Sequence, residues 1–129
     1  MDNNSARWLR FLPMLLVMAT IFFLSSLSGD EVSIYMPSFA NADKVAHCTI
    51  YAALAATAIF AFSSWRRPVA CALLAFIISA LYGASDEWHQ SFVAGRTMDF
   101  FDFLADSLAA AVVVVCWLAW RKAKGKAIF

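Results

Sequence analysis

Apolar runs long enough to cross a bilayer recur four times in this chain, and the charges between them are sorted by sign. Eight of the ten Lys and Arg (Arg7, Arg10, Arg66, Arg67, Arg121, Lys122, Lys124, Lys126) fall in three short basic patches. Eight of the nine Asp and Glu (Asp30, Glu31, Asp43, Asp86, Glu87, Asp99, Asp102, Asp106) fall in the two stretches between them. The two remaining bases, Lys44 and Arg96, stand among the acids, as do His47 and His89. With 63% hydrophobic and 15% charged residues, the chain is too apolar for a soluble domain, where about half and about a quarter are usual.

The reading that follows is all-α: a single domain over residues 1–129, a bundle of four transmembrane helices at about 9–27, 44–62, 68–88 and 99–120. Each is of a length to cross a hydrocarbon core of ~30 Å. Arg7 and Arg10 ahead of the first run, with Ser26 and Ser28 after it, also resemble a signal peptide; its removal would leave three spans. The second run is rich in alanine, which lets helix backbones approach closely in lipid. Pro68 suits a first helical position and Thr97 an N-cap. Short basic loops favour the cytoplasm, so both termini and the 63–67 turn are expected inside, and the 28–43 and 85–98 connections outside. Trp8, Trp65, Trp117 and Trp120 suit an interfacial belt. Expected, then, is a multi-pass membrane protein with its termini cytoplasmic and its functional face outward.

Three helix ends carry the polar residues of that face. Asp43, His47 and Tyr51 follow i, i+4, i+8 spacing and share one stripe; Asp99, Asp102 and Asp106 follow i, i+3, i+7 and share another. Asp86 and Gln90 share a face, while Glu87 points about 100° away. Asp106 lies about 10 Å deeper than Asp99 along its helix. A carboxylate at that depth has to be protonated, paired, hydrated or metal-bound. Asp99 and Asp102 also suit the first turn of a helix, where the dipole favours acids. Lys44 suits an interfacial anchor as well as an anion site.

Several chemistries find no standard motif in this chain. The bases form no stripe of the kind nucleic acid requires. There is no Gly-x-Ser-x-Gly nucleophile elbow and no phosphate-cradling glycine loop. Imidazole and carboxylates suit Mg²⁺, Mn²⁺ or Zn²⁺, but their linear spacing matches no standard ligand motif, and no metal site is assigned. Cys48, Cys71 and Cys116 have no ligand-type spacing and read as small buried hydrophobes. No cofactor is named by these residues.

Asp43-Lys44-x-x-His47-x-x-x-Tyr51, Ser85-Asp86-Glu87-x-x-Gln90-x-Phe92 and Gly95-Arg96-x-x-Asp99-x-x-Asp102-x-x-x-Asp106 together resemble the VanZ-like family of small bacterial membrane proteins. The resemblance covers essentially the whole chain. Ala94 stands where that family often has proline, and Asp106 where it often has asparagine. The family takes its name from a protein linked to teicoplanin resistance, so the resemblance implies a cell-envelope role and no established reaction.

Three functions fit. The first is an outer-face pocket that binds, and in an enzyme modifies, the headgroup of an anionic membrane lipid or lipid-linked cell-wall precursor. Asp86, Glu87 and His47 would then be its acid–base groups, and Lys44, Arg96, Gln90, Tyr51, Asp43, Asp99, Asp102 and Asp106 its binding groups. The second is a non-catalytic accessory protein, with the same pocket, that alters glycopeptide access. The third is a proton-coupled carrier relaying through Asp106, His47 and Tyr51, for which four helices are few unless the chain forms a homo-oligomer.

Overall fold

The computed structural model describes residues 7–35, 41–65 and 67–126, and among these it is all helix with no strand. A 3-10 turn, Leu9–Phe11, leads into α1 (Leu12–Ser25); α2 (Gly29–Tyr35), α3 (Ala42–Phe62), α4 (Pro68–Gln90) and α5 (Phe100–Ala123) follow. Helices α3, α4 and α5 are each long and apolar enough to cross a membrane. The turn and α1 form a further span when taken together with α2, from which they are bent by 113°. The chain is thus a multi-pass helical bundle of three spans, or four with the bent pair.

The sharp turn after α1 departs from the expected run through residue 27. Its cause is local. Ser28 and Glu31 form a capping box: the Ser28 N–H and hydroxyl both donate to Glu31 Oε2 at 2.8 Å, and the Glu31 N–H returns to Ser28 Oγ at 3.3 Å. These bonds hold the Glu31 carboxyl below its ordinary range, the backbone N–H contributing most. Asp30 and Glu31, which read in sequence as loop charges, therefore begin a helix. The bend is pinned from the other side by the α4–α5 connection, where the Gly29 N–H donates to Ala94 O at 3.0 Å. A Cβ on Gly29 would overlap the Gly95 carbonyl, and Gly95 itself has φ +72°, which glycine adopts without strain.

The other boundaries have readable causes. Asn41 enters α3 with φ 63°, a conformation asparagine tolerates better than most residues. Pro68 opens α4 as expected. The expected N-cap of the last helix, Thr97, is corrected to Asp99, whose side chain accepts from the Phe101 N–H at 2.7 Å. Both residue types cap well, but Asp99 is also held in place because its own N–H donates to Glu87 Oε2 at 2.8 Å.

Helix α5 packs along both α3 and α4, and the core between them is made of small side chains. Ala55, Ala58 and Ala61 of α3, Ala72 and Ala75 of α4 and Ala110 of α5 are buried, with Tyr51 and Leu54 filling the remaining space. Such residues allow the close backbone approach that lipid-exposed helices need. The cysteines divide: Cys71 is buried and donates to Phe62 O at 3.0 Å, Cys48 is half-buried, and Cys116 is exposed. Cys116 therefore corrects the expectation of three buried thiols; it lies on the outer side of α5 among Val112 and Val115.

Charge sorting survives in three dimensions. At one end, Arg10 lies over the Phe60 ring at 4.9 Å, Arg121 over Trp117 at 5.2 Å and Lys126 over Trp120 at 4.8 Å. Arg66, part of the expected basic turn, lies outside the described residues. At the opposite end the N-termini of α3 and α5 meet the C-terminus of α4 and the turn into α2.

Candidate functional site

At that opposite end Asp86, Glu87, Gln90 and Asp106 are all buried, Asp106 to 1% exposure and Glu87 to 3%. A charged carboxylate at the centre of a membrane helix costs on the order of 3 kcal/mol or more, so each must be compensated locally. The polar residues of this end fall into three groups, and the four buried ones occupy the first two.

The first group is a hydrogen-bonded chain. The Ser25 hydroxyl of α1 donates to Asp86 Oδ1, and Gln90 Nε2 donates to Asp86 Oδ2 at 3.0 Å. Gln90 Oε1 then accepts from Arg96 Nη2. The shared face of Asp86 and Gln90 that helical spacing requires is thus realised. Ser25 was not among the residues singled out from sequence. Its only signal was a hydroxyl closing an apolar run, and that looks like any helix end.

The second group lies about 100° around α4, where Glu87 meets the other two helices. His47 Nδ1 of α3 lies 3.2 and 3.4 Å from the two carboxylate oxygens of Asp106 on α5. His47, Glu87 and Asp106 each offer one ligand-type atom, all within 4.8 Å of one another. Glu87 Oε2 is occupied by the Asp99 N–H, but its buried Oε1 has no partner. The Tyr51 ring stacks on His47 at 6.4 Å between centroids and 11° between planes. Its hydroxyl is buried on the side of the Asp86 carboxylate.

The third group is nearer the surface. Lys44 Nζ pairs with Asp102 Oδ1 and lies 3.7 Å from Asp99 Oδ2. This pair neutralises Lys44, so that among the described residues Arg96 is the cation at this face with no carboxylate partner. Asp43 is exposed and joins none of these bonds. His89 is set apart as well: it stacks on Phe22 at 4.9 Å and its Nε2 lies 3.2 Å from Ser26 Oγ, toward α1.

Two cavities open onto these groups. One, of about 610 Å³, runs between α1, α2, α3 and α4; its walls include Ile21, Leu24, Leu27, Val32, Ile34 and Ile50. Its polar lining includes Ser25, Glu31, His47, Tyr51, Asp86, Gln90 and Arg96. The other, of about 580 Å³, is more polar and includes Asp43, Thr97, Asp99 and Asp102. Val32, His47, Gln90 and Arg96 line both, so the two spaces meet at the imidazole and the guanidinium.

Fold and site together define a small multi-pass helical membrane protein with a buried polar centre at one end of its bundle. The model of the VanZ/LLP1 family matches residues 10–121, and the chain belongs to that family. Comparison with curated proteins and with solved structures finds no match.

Proposed function

We propose that this protein sits in the bacterial cytoplasmic membrane with its basic end inward, and that its outward cavity binds the phosphate-bearing headgroup of an anionic lipid or lipid-linked wall precursor. The observation that carries the reading is the amphipathic character of the 610 Å³ cavity. Aliphatic side chains form its walls, and Arg96, held by Gln90 but by no carboxylate, stands at its polar side. A guanidinium with donors to spare is the side chain best suited to phosphate. Sequence offered Lys44 and Arg96 equally for this role; the Asp102 and Asp99 partners of Lys44 favour Arg96. The inward assignment of the basic end rests on the cytoplasmic preference of short basic loops. Family membership supports an envelope role, and an altered response to teicoplanin-type antibiotics would be its cellular readout.

A second reading, chemistry on the bound headgroup, is favoured by one detail: the unpartnered Glu87 oxygen beside His47. Asp86, by contrast, has both oxygens engaged and suits a positioning role.

The test is lipid binding by the purified full-length chain in nanodiscs, comparing phosphatidylglycerol and a polyprenyl phosphate with phosphatidylcholine. The anionic lipids should bind more tightly, and Arg96→Ala should cost about tenfold, the effect of ~1.4 kcal/mol, in keeping with one lost charge-assisted contact. Equal binding of zwitterionic and anionic lipids, or no effect of Arg96→Ala, would sink the reading. Release of inorganic phosphate or a changed headgroup, abolished in Glu87→Gln with binding retained, would establish the second.

A further inference from the structure

We propose that His47, Glu87 and Asp106 form a binding site for one divalent transition metal ion, of the Mn²⁺ or Zn²⁺ class, at the meeting point of α3, α4 and α5. No linear motif announces it, because each ligand comes from a different helix; the sequence alone led to no metal assignment. Three observations carry it. One ligand-type atom from each residue lies within 4.8 Å of the others, and His47 already faces Asp106 at 3.2 Å. Donors about 2.1 Å from one tetrahedral ion stand about 3.4 Å apart, so closing the set needs a shift of at most about 1.4 Å. Second, Glu87 Oε1 is buried without any hydrogen-bond partner and belongs to this same group. An orphaned acceptor in a buried site is an expected place for an ion.

Third, the charge is unbalanced. Asp86, Glu87, Asp99, Asp102 and Asp106 face two permanent cations, Lys44 and Arg96, and Lys44 is already committed to Asp102 and Asp99. Nothing else among the described residues offsets Glu87 and Asp106 together except the His47 imidazole. A nitrogen donor beside two carboxylates selects a borderline ion over Ca²⁺, which takes oxygen ligands. Further structure supports the ligands from behind: the Asp99 N–H orients Glu87 through Oε2, and the Tyr51 ring supports the His47 plane. Oriented ligands of this kind are what metal sites use to fix geometry.

Three protein ligands leave coordination positions open, as catalytic rather than structural ions do. Because His47 lines both cavities, an ion there adjoins the space assigned to the headgroup. That role rests on the headgroup reading; the ion site itself does not. With an ion bound, His47 and Glu87 are ligands and not an acid–base pair, and the acidic centre becomes one that an anionic headgroup can approach.

The test uses the full chain in detergent, stripped with chelator and titrated with Mn²⁺, Zn²⁺ and Co²⁺ in the absence of lipid. Metal analysis after desalting should give one ion per chain, and Co²⁺ should develop the visible absorption of a protein-bound low-symmetry site. Glu87→Gln and Asp106→Asn, both close in shape to the parent side chains, should weaken binding by at least about 100-fold, the upper end of what loss of a mere outer-shell partner costs. Asp30→Asn should bind like wild type. The proposal is overturned if folded wild-type protein takes up no stoichiometric ion at millimolar metal, or if both variants bind it as well as wild type does. The wild-type titration decides even where a variant fails to fold. A preference for anionic lipid in a protein that takes up no ion overturns this site and leaves the headgroup reading standing. An ion bound without lipid preference does the reverse.

Discussion

Replacing Ser25 by alanine tests whether the first helix belongs to the polar centre or merely lies next to it. The substitution removes one oxygen from a 4%-exposed side chain whose hydroxyl donates to the Asp86 carboxylate. The void left is that of a single oxygen atom, which at ~24 cal/mol per Å³ adds only a few tenths of a kcal/mol. A hydrogen bond to a charged group is worth about 1.5–3 kcal/mol, and here the acceptor stays buried with Gln90 as its one remaining donor. The expected loss is therefore about 2 kcal/mol, nearly all of it electrostatic. Thermal or denaturant unfolding in a fixed detergent should register it, and a double-mutant cycle with Asp86→Asn should give a coupling of about 1 kcal/mol or more. Additive effects, or a Ser25→Ala variant within about 0.5 kcal/mol of wild type, would show that α1 is not tied to the site through this bond.

Asp99→Ala should destabilise the chain by about 1 kcal/mol, the usual worth of an N-cap, whereas Thr97→Ala should be near neutral; paired unfolding curves separate them. Gly29→Ala drives a methyl group into the Gly95 carbonyl, so hydrogen exchange in α2 and the 91–99 connection should speed up, with a cost of about 1–3 kcal/mol. Unchanged exchange would mean that the two backbones separate freely. Because the Ser28 bonds hold Glu31 below its ordinary range, their support of α2 is present at neutral pH and fades only as pH falls through and below the usual glutamate range. Amide exchange at Asp30–Ser33 should therefore rise in acid, and Glu31→Gln should flatten that dependence.

The legible part of this molecule was what charge and periodicity encode. Pro68 opened its helix where proline should, the i+4 pair Asp86 and Gln90 met on one face, and acids and bases separated to opposite ends of the bundle. The bend after α1 was encoded too, in Ser28-x-x-Glu31, but an apolar run flowing into it masks a capping box. What periodicity cannot express is which face meets which. His47 stood out by its stripe with Asp43 and Tyr51 and His89 did not, but spacing could not say that one turns toward Asp106 and the other toward Phe22 and Ser26. Lys44 and Arg96 looked like a matched pair of cations until their partners separated them. For the two histidines and Lys44 the deciding contact spans dozens of residues, and only tertiary packing supplies it; Arg96 meets Gln90 only six residues away.

The His47–Asp106 contact also has a bearing on how the chain is made. Helices emerge in order, and α5, the last, carries the group most averse to hydrocarbon. Its far half answers with a run of valines, Val112 to Val115, apolar enough to draw the segment in. The imidazole that receives Asp106 has by then been waiting since α3. The polar centre is incomplete until α5 is in place, and a ribosome that stops before α5 leaves the imidazole without Asp106.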